Sequence, residues 1–236
     1  MRSFDYIESG KTLLTPHTTS LLAAIHEAKG RQSIQTTIRP DILGTLVAVA
    51  RIQSTDASNR IEGISTSDSR LNDLVSEKVT PRNRNEEEIA GYRDALSVIH
   101  ESHDYIPITP NVILQLHRDL FRHTPLTFAG HFKDSDNVII ERDAHGTSTV
   151  RFAPPSALVT PELIERACSA YTQAIRDGHT DPLLAIAMFI LDFTCIHPFN
   201  DGNGRMSRLL TLLMLYRNGY MVGKYISIEH LIEQSK

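Results

Sequence analysis

The chain has 236 residues, with 28 acidic side chains against 24 basic ones and a formal charge of −4. That length can bury a substantial core, as one domain or as a domain with an N-terminal extension. The charge gives no support to nucleic-acid binding through a broadly basic surface. No apolar run is long enough to span a bilayer and no secretory signal stands at Met1, so the expected compartment is the cytoplasm, with no membrane partner.

Taken in chain order, most of the periodicity is helical. Thr18 to Ala28 carries Leu21, Leu22 and Ile25 at helical spacing and is expected to stop at Gly30. A second pattern runs from Pro40 through Leu43, Leu46, Val47 and Ala50 to about residue 63, where Gly63 suits a helix C-cap. Residues Asp68 to Asn85 are polar and contain Pro81. They read as a linker that closes an N-terminal helical region, 1–85, before a core at 86–225. In that core Glu86 to Ile99 shows Ile89, Tyr92, Leu96 and Ile99 on one helical face. Thr109-Pro110 and Thr160-Pro161 each offer a cap and a first-turn proline, opening helices through Leu120 and Arg176, and Asp181-Pro182 repeats the device. Between them, Asn137 to Ile140 and Thr149 to Phe152 are β-prone runs around a polar turn with His145-Gly146, closed by Pro154-Pro155. They predict a hairpin at 137–152. Ser227 to Lys236 looks like the first turns of a further helix, cut short within 226–236. The expected fold class is all-α with one small β-hairpin.

Cys168 and Cys195 lie in apolar helical patterns and are expected as buried free thiols, not a disulfide or a metal pair. His100, His103, His117, His123 and His131 show no zinc-type spacing and read as surface or cap residues. Tyr216 and Tyr220 suit either core packing or the wall of an adenine pocket.

Chemistry concentrates in His197-Pro198-Phe199-Asn200-Asp201-Gly202-Asn203-Gly204-Arg205-Met206-Ser207-Arg208, a polar island between the apolar runs Leu183–Ile196 and Leu209–Leu215. Its glycines let backbone N–H groups turn toward one point, and a helix starting near Gly204 adds the positive end of its dipole there. Arg205 and Arg208, three apart, share roughly one helix face and can both reach a polyphosphate. Asp201 offers a hard oxygen ligand for Mg²⁺. His197 can take a proton from an attacking hydroxyl. For any one of these residues a plain helix–helix turn is the simpler account; for all of them at this spacing it is not.

The stretch resembles the signature of Fic-domain proteins, His-x-Phe-x-Asp/Glu-Gly-Asn-Gly-Arg-x-x-Arg, and meets every specified position. The resemblance implies a mainly helical nucleotide transferase that usually moves AMP from ATP onto a hydroxyl side chain of a target protein. It makes His197 the base, Asp201 the Mg²⁺ ligand, and Gly202, Asn203 and Gly204 the anion nest. Arg205 would hold the β-phosphate and Arg208 the γ-phosphate, while Phe199 anchors the loop in the core. Ser58-Asn59-Arg60-Ile61-Glu62-Gly63 resembles the inhibitory motif of the class with an N-terminal inhibitory helix, here about 40–63. That resemblance pairs Glu62 with Arg208, where a carboxylate takes the place a γ-phosphate needs.

In similar proteins the hairpin is a flap that holds the target by strand addition, which assigns docking to Val138, Ile139 and Ile140. A surface hairpin without a partner fits the sequence equally. Gly130-His131-Phe132-Lys133 stands where relatives often carry Gly-x-Tyr/Phe-Arg, and an ammonium lacks the bidentate fork of a guanidinium. The same residues also suit removal of AMP by a water that Glu62 positions, transfer of another nucleotide or of phosphate, or a nucleotide-binding module without turnover. Relatives are sometimes regulated through dimer contacts, which leaves a homodimer open.

Overall fold

The computed structural model describes residues 4–38, 40–142, 146 and 148–235, with the side chains of 33–38, 40 and 41 left out. In order the elements are α1 (Tyr6–Leu13), α2 (Pro16–Ile38), α3 (Pro40–Arg60), α4 (Asp68–Val75), α5 (Arg84–Ser102), α6 (Pro110–Leu120), β1 (Ile139–Arg142), β2 (Ser148–Phe152), α7 (Thr160–Asp177), α8 (Pro182–Ile196), α9 (Asn203–Arg217) and α10 (Ile228–Gln234). The fold is all-α with one two-stranded antiparallel hairpin, as the sequence predicts.

The core is organised by α8 and α9, whose apolar runs are buried over most of their surface, with Ala187, Leu191 and Thr194 forming a narrow exposed stripe on α8. Phe189, Phe193, Leu209, Leu210 and Leu213 are all fully buried. α8 packs on α7 and α9, and α5 packs on α6, α9 and α3. Caps set where the helices begin: Asn83 accepts from Glu86 N at 3.0 Å, Thr109 from Val112 N at 3.4 Å and Asp181 from Leu183 N at 2.8 Å. Each satisfies a backbone donor that the first helical turn leaves unpaired.

α5 and α6 cross so closely that a Cβ at Gly91 would collide with the Leu120 carbonyl oxygen. The contact is backbone on backbone, so it cannot be relieved by a rotamer change. Gly91→Ala is expected to lower unfolding free energy by about 3 kcal/mol, read from urea denaturation; an unchanged midpoint would contradict this crossing geometry.

Several boundaries differ from the sequence reading. α2 does not stop at Gly30 but continues to Ile38; one interior glycine costs only about 1 kcal/mol relative to alanine, which a long helix tolerates. The expected linker 68–85 contains α4, capped by the Ser67 hydroxyl, with Leu71, Leu74 and Val75 buried against Ile89. Thr160 is not a cap but the first residue of α7, and its hydroxyl donates to the Ser156 carbonyl at 2.9 Å. A 3₁₀ turn at Ala157–Val159 feeds the chain into the helix already wound.

In the hairpin, Ile140 pairs with Val150 and Glu141 with Thr149, with an irregularity between Ile139 and Ile140. Val138 precedes the strand, and Val138 and Ile140 are both 53% exposed. His145 lies outside the described residues, as does Lys236 at the end of the expected last helix. Cys168 is buried and Cys195 only partly so, both as free thiols; burial pushes the Cys168 thiol up to about 12.

Candidate active site

The signature forms the turn between α8 and α9. α8 ends at Ile196, and His197 takes the left-handed conformation, φ 50°, with its N–H bonded to the Phe193 carbonyl at 3.0 Å. A non-glycine residue rarely sits there, which marks the position as one held by its surroundings. Gly202, φ +82°, makes the second turn, and a Cβ there would meet the Phe121 ring. Asn203 is a clip inside the loop: its Oδ1 accepts from Phe199 N at 2.9 Å and its Nδ2 donates to Phe199 O at 2.8 Å. Phe199 is fully buried, so the loop is pinned at its centre.

The pin is completed by a residue read from the sequence as surface or cap. His117 is fully buried and stacks on Phe199, centroids 3.7 Å apart. Its Nδ1 accepts from the Gly130 N–H at 2.9 Å, so Nε2 carries the proton and donates to the Asp201 carbonyl at 3.1 Å. His100 is likewise buried, not exposed. The missed signal is helical spacing: His117 lies four after Ile113, on the face that also buries Leu116 and Leu120.

Burial lowers both histidines to about 4, with the Arg205 charge adding to the effect at His117 and the Asp201 carbonyl opposing it. The folded state therefore resists protons that the unfolded chain takes up below its ordinary histidine value of 6.5. Stability is full above about pH 6.5 and falls as pH drops toward 4. The loss is on the order of 3 kcal/mol per histidine across that window. Urea midpoints at pH 7 and pH 4.5 should differ accordingly; a flat dependence would count against both buried neutral rings.

At His197 the shift is also downward, first through burial and then through the Lys133 ammonium, with the Thr194 carbonyl and the Glu62 carboxylate pulling upward. The imidazole is thus held as a neutral base. Lys133 is itself buried: its Nζ donates to Asn137 Oδ1 at 3.0 Å and Ile196 O at 3.2 Å, and its backbone N–H to Pro198 O at 2.8 Å. Its three-donor head suits separate contacts where a planar fork would not. The same lysine joins the base of the hairpin to the loop that carries the histidine.

Arg205 and Arg208 do not share an open face as their spacing suggests. A carboxylate from a different element holds each guanidinium. Arg205, 1% exposed, pairs with Glu88 of α5 at 2.7 Å and lies 5.0 Å over the Phe121 ring. Arg208 donates through Nε to Ser58 Oγ at 2.8 Å, and through Nη2 to Ser58 O at 2.8 Å and Glu62 Oε1 at 2.7 Å.

Glu62 reaches that position because α3 ends in a Schellman turn. Ile64 N bonds Asn59 O at 3.0 Å, Gly63 N bonds Arg60 O at 2.9 Å, and Gly63 has φ +78°. A carboxylate at a helix C-terminus opposes the dipole, so Glu62 does not serve the helix. It sits against Gly204, where a Cβ would collide with its Oε1.

Asp201 is about half exposed. Its Oδ1 accepts from Gly202 N at 2.6 Å. Among the described residues no group of three or more His, Cys, Asp or Glu side chains could hold a metal by itself. One accessible carboxylate beside an anion nest fits Mg²⁺, which takes its remaining ligands from substrate phosphates and water.

Residues 107–215 match the model of the Fic/DOC family. A Fido domain-containing protein of Dictyostelium discoideum is 37% identical over 90 residues, 36% of this chain and 58% of the relative. Protein adenylyltransferase fic-1 of Caenorhabditis elegans is 28% identical over 145 residues, 58% of this chain and 25% of the relative. The chain therefore spans from a quarter to under three fifths of the length of these two proteins. Among solved structures, a Fic family protein from Desulfovibrio desulfuricans superposes with a TM-score of 0.74 at 24% identity, covering 94% of this chain and 63% of that one. A Fic domain containing signaling protein from Bacteroides thetaiotaomicron gives 0.71 at 24%, covering 84% and 73%. With the signature complete and folded into one loop, residues 107–215 of this chain are a Fic/DOC family domain.

Proposed function

We propose that the protein is an adenylyltransferase that moves AMP from ATP to a Ser, Thr or Tyr hydroxyl of a target protein, or of itself, and that Glu62 restrains it. The observation that carries this reading is the loop 197–208, which sets a base held neutral beside a helix N-terminus and an arginine that the protein's own carboxylate occupies. In the forward reaction the acceptor hydroxyl gives its proton to His197 while its oxygen bonds to the α-phosphorus. The bond from that phosphorus to the β-phosphate bridging oxygen breaks, and pyrophosphate leaves toward Arg208. The backbone donors of Asn203 and Gly204 are suited to the charge that develops, the Gly202 N–H being held by Asp201 Oδ1. Mg²⁺ bound through Asp201 would supply charge neutralisation on the phosphates.

The hairpin would dock the segment that carries the acceptor. β1 offers a free edge among the described residues, and Ile139 and Ile140 lie on it, with Val138 leading in. Strand addition there brings a target segment to the element that Lys133 and Asn137 tie to the histidine loop.

Intact-mass measurement of the Glu62→Gly protein incubated with each nucleoside triphosphate and Mg²⁺ tests the reading. A mass gain of AMP from ATP supports it; gain of another nucleotide or of phosphate redirects it, and no gain with any of them overturns it. A second reading, removal of AMP, has one observation in its favour: Glu62 lies near enough to His197 to raise its pKa. Wild-type protein that strips AMP from a modified target, with loss of that activity in Glu62→Gly, would favour removal.

Lys133→Met removes a positive charge beside the base, so the acidic limb of the pH–rate profile is expected to move to higher pH. An unmoved limb would separate Lys133 from the electrostatics of His197.

A further inference from the structure

One cation beside the signature is neither within the matched residues nor part of the twelve-residue motif. Arg84 opens α5, and a positive charge in a helix's first turn works against the dipole. Helix stability therefore does not account for it. Its Nε donates to Glu88 Oε1 at 2.8 Å, and its Nη2 lies 3.7 Å from Asp201 Oδ2. Glu88 is 3% exposed and its other oxygen pairs with Arg205 at 2.7 Å. Arg205 Nη2 in turn lies 3.7 Å from Asp201 Oδ1. One buried carboxylate thus aims two guanidinium groups at the two oxygens of the loop's aspartate.

The two arginines differ in access. Arg205 is sealed at 1% exposure, so a phosphate arriving from solvent cannot reach it without displacing its cover. The Arg84 side chain is 62% exposed, and neither Nη atom makes a hydrogen bond among the described residues. A fork pinned at Nε, with Nη1 open and Nη2 only 3.7 Å from Asp201 without a hydrogen bond, is shaped for an incoming oxyanion.

We propose that Arg84 is a second phosphate-binding arginine of the nucleotide site beside Arg208, held in place by Glu88 as a positioning residue, with Arg205 the buried member that fixes Asp201 from behind. This rests on the nucleotide-site reading above. Glu88 is buried between two cations, so its substitution endangers folding; Arg84 is exposed, and its loss leaves Glu88 with Arg205 as remaining partner, so a smaller loss of stability is expected there.

The test titrates ATP with Mg²⁺ into the Glu62→Gly protein by calorimetry, then into Arg84→Lys, Arg84→Met and Arg84→Glu made on that parent. Affinity should follow charge: close to the parent for lysine, about tenfold weaker for methionine, and weaker still for glutamate, with every variant folded at the temperature of the titration. Folded Glu88→Gln should weaken ATP as Arg84→Met does, and the two together should do less than the product of both effects. ATP affinity that is equal in the parent and in Arg84→Glu, or that follows the thermal midpoint instead of charge, overturns the inference. Failure of the Glu62→Gly parent itself to bind ATP overturns the nucleotide-site reading and this inference with it.

Discussion

His197→Asn, made in the Glu62→Gly background, is expected to slow AMP transfer roughly a thousandfold, within the range a positioned general base contributes, while leaving ATP affinity unchanged. Asparagine is the informative replacement. His197 holds φ 50°, and asparagine tolerates the left-handed region where alanine would add strain of its own. The variant thus keeps the turn and removes only the base. Two features make the histidine fit the task. Its imidazole is pushed toward the neutral form by burial and by Lys133, so it can accept a proton near pH 7. It also stands at the end of α8, ahead of the N–H groups at Asn203 and Gly204, so it is separate from the donors that would hold phosphate. Rate and ATP affinity lost together would show that His197 shapes the loop and does no proton transfer. Undiminished labelling would remove the base from the mechanism.

How much of this was legible in the sequence depended on whether a residue's chemistry and its packing point the same way. The signature loop could be read because base, carboxylate, glycines and arginines lie within twelve residues, and glycine at 202 and 63 marks positive φ from composition alone. α3 was legible as a helix, but not in orientation. Its inward face is Ser54, Thr55, Ala57, Ser58 and Asn59, all buried, while Leu46 and Val49 remain exposed. Small polar residues let α3 approach α5 and α9, and an apolar stripe would have implied the opposite face.

Glu88 shows the same inversion. It sits in the run Glu86-Glu87-Glu88, which carries no sign of burial, yet it lies four before Tyr92 and turns inward to meet Arg205. A buried carboxylate is announced only by its partners: Arg84, four before it, reads equally well as a surface pair, and the partner that draws Glu88 inward is 117 positions later. α4 was obscured because a helix of 8 residues falls below what periodicity resolves, whereas His117 shared the spacing of Ile113, Leu116 and Leu120 and was hidden by its polar side chain alone.

Glu62→Gly is expected to raise AMP transfer about a hundredfold, equivalent to removing about 2.7 kcal/mol of preference for the blocked state. The geometry explains why one side chain can do so much. Glu62 engages Arg208 at 2.7 Å and at the same time lies on Gly204, so it covers an arginine and part of the N–H nest together. The pair is only partly exposed, with Arg208 at 10% and Glu62 at 34%, so solvent screens it less than a surface ion pair. Removing the carboxylate does not release the arginine. Arg208 keeps its bonds to Ser58 Oγ and Ser58 O, both 2.8 Å, and stays aimed at the space vacated. Activation, not collapse, is therefore the expected outcome. Arg208→Ala should differ in kind: it removes the restraint and the phosphate ligand together, so it should remain slow even with Glu62→Gly. Ser58→Ala should fall between, losing one of three contacts and leaving Glu62 in place. If Glu62→Gly is folded yet binds ATP no more tightly and transfers AMP no faster than the parent chain, the contact between Glu62 and Arg208 holds α3 to α9 and restrains nothing.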